Sequence, residues 1–386
     1  MVWVGVCMAD AEFRVREKSQ GKTPVTMLHL KPYSNAVTRC ISGKGAVSEK
    51  DVCMNTVTST SLPSFVEVID VVNPVAANGC VELLDQDLVQ LQGQTLKARR
   101  VVVRLGRSVL MYNSTNVRVR TRPRIMNEQV SFVTFGPDAT GLVNGFQIRS
   151  DMLLVAPHQA MTSLVANPQY ESVSFLIQPE LRHAIGQDLE HVMATGQEEL
   201  GASFLQSAPG AAEAFYARGK MVVDAAVQDA TPFNLSQAHR QSVEEILVDH
   251  LRNALKASHK WAPARSERLS QVKSQIVQTA EKYALSHTGE RLYVTDLCRV
   301  AGVSERTLEY AFRAVMGLSP TAYLTKIRLH RVRRALWMAA PSATTVTTEA
   351  LNWGFWHFGE FSKAYKACFD ELPSETLRKS PGRLAV

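Results

Sequence analysis

Between Tyr293 and Leu377 one short pattern occurs twice, and it restricts this stretch to two small helical units in succession. The first copy, residues 295–312, reads as a helix, a tight turn at Gly302 and a second helix. A glycine just past a periodic apolar segment supplies the left-handed conformation that closes a helix, and Ser304 then offers a side-chain oxygen to the amides opening the next. Leu308, Ala311, Phe312 and Val315 follow at helical spacing, so this second helix has one core face and one free face. The second copy begins near Val346. Gly354 ends a short helix there, and Phe361, Tyr365, Cys368 and Phe369 mark a buried stripe that leaves Gly359, Glu360, Ser362, Lys363 and Lys366 outward. Between the copies, Ser319-Pro320 is a strong helix start, serine as cap and proline at the first position. The joining helix is expected to turn Leu329, Val332 and Leu336 inward, with Lys326, Arg328, Arg331, Arg333 and Arg334 around it. Trp353, Phe355 and Trp356 are expected in core and turn packing rather than as stacking platforms.

A chain of 386 residues exceeds one ordinary core and predicts two or three domains. Its 45% hydrophobic and 20% charged residues are those of a globular protein. The net charge of +7 is uneven: from Ser266 onward 17 Lys and Arg face 11 Asp and Glu, so nearly all of the excess lies in the last third and favours a polyanionic partner there. The six cysteines Cys7, Cys40, Cys53, Cys80, Cys298 and Cys368 show no metal spacing, and the last two fall at helical core positions as structural thiols. No apolar run approaches the ~18 residues of a membrane span. The apolar opening, residues 1–9, is too short and lacks the basic leader of a signal peptide, so a reducing cytoplasm is the expected compartment and no membrane the expected partner.

Residues 1–62 carry no sustained period and read as loop or tail, with Gly43-Lys44-Gly45 only a fragment of a phosphate loop. From about Phe65 to Pro179 short β-rich runs (101–103, 117–121, 130–135, 152–155, 173–177) are separated by Gly, Pro, Asn and Asp, which predicts an antiparallel sandwich or barrel. Arg118, Arg120, Arg122 and Arg124 alternate with Val117, Val119 and Thr121, so a strand sets all four guanidinium groups on one face. Pro123 confines the segment to an edge or a strand end, and a solvated edge is favoured over a site for an anionic effector or a contact with nucleic acid held by the basic region. Helices are predicted over 180–189, about 211–227, 236–259 and 268–285, with Trp261 to Arg265 as a linker. In the third of these Val243, Ile246, Leu247, Leu251 and Leu255 form one stripe between charged residues, which suits packing on the β region.

The doubled unit resembles the DNA-binding domain of the AraC/XylS transcription regulators over roughly the last third of the chain. The residues that carry the likeness are Ala301-Gly302-Val303-Ser304, Gly317-Leu318-Ser319-Pro320 with Tyr323-Leu324 and Arg328-Leu329, and Gly354-Phe355, Phe361-Ser362, Tyr365-Lys366, Phe369 and Pro373-Ser374. The runs 353–357 and 373–378 look most like the ethanolamine-utilisation-regulator branch, while Asp370 stands where the family usually has glycine. The resemblance implies a multidomain α+β chain: an N-terminal segment (1–62), a β-rich, cupin-like sensor or dimerisation domain (63–235), a helical connector (236–265) and an all-α domain with two helix-turn-helix units (266–386). It implies double-stranded promoter or operator DNA as partner, with RNA polymerase, a small-molecule effector of unknown site and a second copy of the chain as further partners. The implied DNA-binding residues are Ser304, Glu305, Arg306, Thr307, Glu309 and Tyr310 on the first unit, and His357, Phe358, Gly359, Glu360, Ser362, Lys363 and Lys366 on the second.

Arg306 suits bidentate contact with guanine, Glu309 can accept from cytosine N4, and Tyr310 suits phosphate or a thymine methyl. Lys363 and Lys366 suit the backbone. Gly359 costs ~1 kcal/mol against alanine inside a helix, which either close approach to DNA or tight helix packing repays. An enzyme is the weaker class, with no catalytic residue, metal or cofactor expected: no His-x-His pair occurs, and His158, His183 and His191 have no ligand spacing. A β-barrel enzyme with an appended helical domain and a non-specific nucleic-acid binder remain as alternatives, the latter separated by its response to salt.

Overall fold

Strand β5 (Ser108–Thr115) is apolar on both sides, because it lies inside a sheet that is covered on both faces. The computed structural model describes residues 64–380 apart from 76–83, 86–87, 127, 161, 186–201, 257, 288–291 and 341. The expectations for residues 1–62 with Gly43-Lys44-Gly45, for His191, and for Cys7, Cys40, Cys53 and Cys80 lie outside the described residues. Eight strands form the larger sheet in the order β1 (Val66–Val71), β4 (Ala98–Arg104), β5, β13 (Tyr170–Ile177), β8 (Val130–Phe135), β11 (Met152–Ala156), β14 (Ser203–Gln206) and β15 (His259–Lys260). A five-stranded sheet runs β10 (Phe146–Gln147), β9 (Gly141–Val143), β12 (Leu164–Ala166), β6 (Val119–Thr121) and β3 (Leu88–Gln90), and β2 (Leu84–Asp85) pairs with β7 (Arg124–Ile125). Neighbouring strands are antiparallel throughout, as short strands joined by turns require.

The register Val173 opposite Tyr112 and Phe175 opposite Leu110 sends alternate residues to opposite faces of the larger sheet. Val101, Val103, Leu110, Phe132 and Phe175 join one core with helices α2 (Ala211–Gln228), α3 (Thr231–Leu235) and α4 (Gln237–Lys256), which follow the short helix α1 (Pro179–Ile185). Val102, Met111, Phe135 and Leu154 join a second core with the smaller sheet. Helix α4 therefore packs on its own β region. Its buried stripe is Leu247, Val248, Leu251 and Leu255; Ile246 is exposed, and Glu244 is buried instead. The Glu244 carboxylate accepts bonds from Ser108 Oγ (2.7 Å) and Arg107 (3.0 Å), which rotates the helix toward a polar anchor.

The alternating arginines are not a solvated edge. Strand β6 lies between β12 and β3, Arg120 is 1% exposed, and Pro123 follows the strand's end. Nor is the 261–265 stretch a free linker: Trp261 is buried, its N–H donates to Phe204 O (2.9 Å), and the Arg149 guanidinium stacks 4.6 Å from its ring.

Beyond it come α5 (Arg265–Ser286), α6 (Val294–Ala301), α7 (Glu305–Met316), α8 (Pro320–Trp337), α9 (Val346–Asn352), α10 (Phe358–Phe369) and α11 (Pro373–Arg378). They enclose two cores that meet on α8. Tyr323, Leu324 and Ile327 pack with α5, α6 and α7, and Leu329, Val332 and Leu336 pack with α9, α10 and α11. Arg333, expected on the outside of α8, is buried: it bonds Glu371 (2.9 Å) and Asn73 Oδ1 (3.0 Å) and covers the Phe369 ring. Of the two helical cysteines Cys368 is buried and Cys298 half-buried. Among the described residues no helix is long and apolar enough to cross a membrane.

Candidate nucleic-acid interface

Helix α7 begins at Ser304, whose Oγ accepts from Thr307 N (3.3 Å), after Gly302 has closed α6 at φ 65°. A Cβ on Gly302 would meet nothing within 4 Å, so the left-handed backbone alone selects glycine there. Leu308, Ala311, Phe312, Val315 and Met316 are buried, which leaves Ser304, Glu305, Arg306, Thr307 and Tyr310 exposed along the first turns. Side chains of this face pair with one another and along the helix: the Ser304 and Thr307 hydroxyls are 2.9 Å apart. Glu309, half-buried, accepts from Arg313 Nε at 2.7 Å, and Arg306 lies over the Tyr310 ring at 5.6 Å.

Helix α10 repeats the layout with different ends. Phe361, Tyr365, Cys368 and Phe369 are buried, while His357, Phe358, Gly359, Glu360, Lys363 and Lys366 are exposed and Ser362 is half-buried. His357 at the N-cap makes no capping bond, so the first-turn amides lack the partner that Ser304 gives α7. Glu360 and Lys363 pair at 3.1 Å in full solvent, a contact worth little. Asp370 closes the helix in the left-handed region (φ 60°), which aspartate tolerates better than most residues, and its carboxylate accepts from Thr95 Oγ1 at 2.7 Å. A Cβ on Gly359 would also meet nothing within 4 Å, so tight internal packing does not explain that glycine. Trp356 corrects another expectation. Phe355 is half-buried and packs 5.0 Å from Phe361, but Trp356 is 66% exposed. The four exposed aromatic rings among the described residues, Tyr293, Tyr310, Trp356 and Phe358, all lie in this helical region. An aromatic just ahead of the start of α10 was the signal available in the sequence.

Helices α7 and α10 are tied to the smaller sheet, whose strands are two-faced. Leu88, Val119, Thr121, Leu164 and Ala166 line a cavity of about 130 Å³ between the sheets, and the intervening Val89 and Val165 enter the core of α5, α7 and α8. Arg120, also intervening, places its guanidinium against Glu281 of α5 (2.5 and 3.1 Å) and Ser163, and Tyr323 OH donates to the same carboxylate. Arg122 stands 3.5 Å away. Burial alone would push the Glu281 carboxyl upward; Arg120 and Arg122 more than reverse this and hold it at about 2. On α8, His330 accepts from Gln90 N (2.9 Å) and lies edge-on to Phe369, and its burial, with Arg333 and Lys326 nearby, pushes it down to about 3. Within the cavity the walls are mainly apolar, Arg100 bonds Asn113 (2.8 Å), and the buried Thr121 Oγ1 has no hydrogen-bond partner. Among the described residues no group of three or more His, Cys, Asp or Glu is placed to hold a metal ion.

A family profile described as a helix-turn-helix domain matches residues 297–379, the stretch that holds both α7 and α10. Over 108 residues the chain is 39% identical to the "Probable thc operon regulatory protein" of Rhodococcus erythropolis, covering 28% of this chain and 32% of that one. It is 34% identical over 89 residues to the XylDLEGF operon transcriptional activator of Pseudomonas putida, 23% of this chain and 28% of the relative. A solved structure, described as that of a "probable AraC family transcriptional regulator" from Rhodopseudomonas palustris CGA009, is 34% identical, covering 28% of this chain and 98% of its own, with a TM-score of 0.26. The chain thus spans about a third of the length of the curated relatives it matches.

Proposed function

Because the C-terminal region of this chain belongs to the AraC/XylS family of transcription regulators, we propose that the protein is a sequence-specific DNA-binding regulator in which α7 and α10 are the recognition helices of two helix-turn-helix units. They enter successive major grooves of promoter DNA, about 34 Å apart. The observation that carries this reading is the repeated geometry: two twelve-residue helices, each preceded by a shorter helix and a glycine turn, each burying one stripe and baring its first turns. Arg306 reads bases, Tyr310 braces it and meets phosphate or a thymine methyl, and Ser304, Glu305, Thr307 and Glu309 fill the same face. On the second helix Lys363 and Lys366 anchor the backbone. His357, Phe358, Gly359, Glu360 and Ser362 face the groove, with Trp356 added to them as an apolar contact. The name of the Pseudomonas relative favours activation over repression.

The division of labour follows the layers: a β-rich sensor region of cupin-like type, the α4 connector, and the helical reader. The cavity between the sheets supports regulation by a small, mainly apolar effector that offers Thr121 a hydrogen bond. Such an effector acts only by binding two arrangements of the chain unequally. Selection of genomic fragments by the full-length chain, followed by binding to the selected site and to random duplex at about 150 mM salt, tests the reading, since phosphate attraction is then partly screened. A retained preference for the selected site is expected, and equal affinity for both defeats it.

A further inference from the structure

Each reading helix belongs to its own core, and the two cores meet on α8. A second connection between them runs through the β region. Leu91 N donates to Arg118 O (2.9 Å) and Arg118 N to Gln92 Oε1 (3.3 Å), so the stretch after β3 and the residue before β6 are one hydrogen-bonded piece. That piece touches the C-terminal ends of both reading helices. At α7, Arg118 Nη2 donates to Val315 O (3.1 Å), and the guanidinium fills the space beside Gly317 so closely that a Cβ there would come within 2.6 Å. At α10, Gly93 lies against Ala367, whose carbonyl oxygen would be 2.0 Å from an added Cβ, and Thr95 bonds the closing residue Asp370. The opposite ends, bearing the reading side chains other than Lys366, stay exposed.

We propose that residues 91–95 together with Arg118 form a spacing clamp that fixes the separation and relative rotation of the two reading helices. Arg118, Gly93 and Thr95 are positioning residues. They touch no DNA and set, together with α8, which distance between half-sites the protein accepts. The inference rests on the two-groove reading above. It also explains the choice of glycine at 93, where any side chain would push α10 away from the sheet.

The test uses the full-length chain and its selected site, with one base pair inserted between the half-sites. This moves the second half-site by about 3.4 Å and turns it by roughly a tenth of a helical turn. Wild type is expected to lose at least about tenfold in affinity on the insertion, as for a mismatch. Gly93→Ala, and separately the double variant Thr95→Val with Arg118→Met, are expected to keep natural-site affinity within about threefold and to reduce the insertion penalty below about threefold. That pattern supports the clamp, because a merely structural weakening lowers affinity for both spacings in proportion. Proportional loss, an unchanged penalty in the double variant, or a wild type indifferent to the insertion overturns it. If Gly93→Ala fails to fold by thermal melting, the milder double variant decides alone. Failure of the DNA reading is seen separately, as wild type binding random duplex as well as the selected site.

Discussion

Helices α7 and α10, the two proposed readers, carry the same motif, yet they are joined to the rest of the molecule by different physics. The lobe of α5, α6, α7 and the first half of α8 shares a core with Val89, Leu91 and Val165 of the smaller sheet and adds the enclosed Arg120–Glu281 pair. The lobe of α9, α10 and α11 takes no sheet residue into its core; its described ties to the β region are the close approach of Gly93 to Ala367 and the Thr95–Asp370 hydrogen bond, beside the bonds that Gln90 and Asn73 make to His330 and Arg333 of α8. Arg333 directs its ion pair to Glu371 within that lobe. Apolar burial holds an element firmly, and an enclosed charge pair is costly to disrupt one partner at a time, whereas hydrogen bonds exchanged with water contribute about 1 kcal/mol each. The first reader is therefore expected to be held to the sheet by its core, and the second to depend on the Gly93 and Thr95 contacts and to be the one released when they are altered.

The largest effect that would break this contrast is at Glu281. Glu281→Ala leaves the Arg120 guanidinium buried without its counter-charge and is expected to cost about 3–5 kcal/mol in denaturant unfolding, while replacing both partners by apolar residues of similar volume is expected to be close to neutral. A loss under about 1 kcal/mol would mean that water reaches the pair and that the first lobe is no better anchored than the second.

Acid separates the lobes without mutation. His330, ordinarily near 6.5, is held at about 3 in the fold, so its neutral form contributes stability that is complete above pH 6.5 and is lost as pH falls toward 3. Glu281, ordinarily near 4.5 and held at about 2, contributes stability that is complete above pH 4.5 and is lost toward pH 2. Hydrogen exchange at decreasing pH is therefore expected to show α8 and α10 loosening from the sheet between pH 6.5 and 4.5 while α5 stays protected. Simultaneous loss in both would collapse the distinction.

These ties were not legible in the sequence, although the helices were. A helix stop at Gly302 and a start at Ser304 are local events, decided by φ and by one side-chain oxygen, and both occur where the sequence places them. Arg120 and Glu281 are 161 residues apart. Alternation along β6 establishes that its arginines share a face, but whether that face meets water or a helix depends on a carboxylate in a polar-looking stretch of α5. Ile246 and Arg333 were misplaced for a related reason, since Glu244 and Glu371 rotate or fill their surroundings by pairing with distant groups. Strand β5 escaped detection because burial on both faces removes the two-residue period. The same limit hid the cavity, whose walls come from both sheets.

The readers themselves are expected to differ in what they read. Arg306→Ala should cost about 1–3 kcal/mol at the selected site and relax preference at one base position. Lys363→Ala or Lys366→Ala should weaken selected and random DNA about equally and lower the salt slope by roughly one unit. Titrations against single-base changes at two salt concentrations decide this. Uniform weakening by Arg306→Ala with altered base preference from Lys363→Ala would make α10 the principal reader.

The smallest stability effect is expected at Trp356, and its smallness is the point. A tryptophan enclosed as Phe361 is would cost about 3–5 kcal/mol on truncation, but at 66% exposure Trp356→Ala is expected to leave the unfolding free energy within about 0.5 kcal/mol. Binding to the selected site is expected to weaken about fivefold, close to 1 kcal/mol, because an apolar contact with a thymine methyl or sugar is lost. Replacing single thymines of the second half-site by deoxyuridine locates that methyl: one position should weaken wild type and leave Trp356→Ala unaffected. A large loss of stability would return Trp356 to the core of the second lobe, and unchanged stability with unchanged binding would remove it from the reading surface and leave that to residues 357–366 of α10 and its cap.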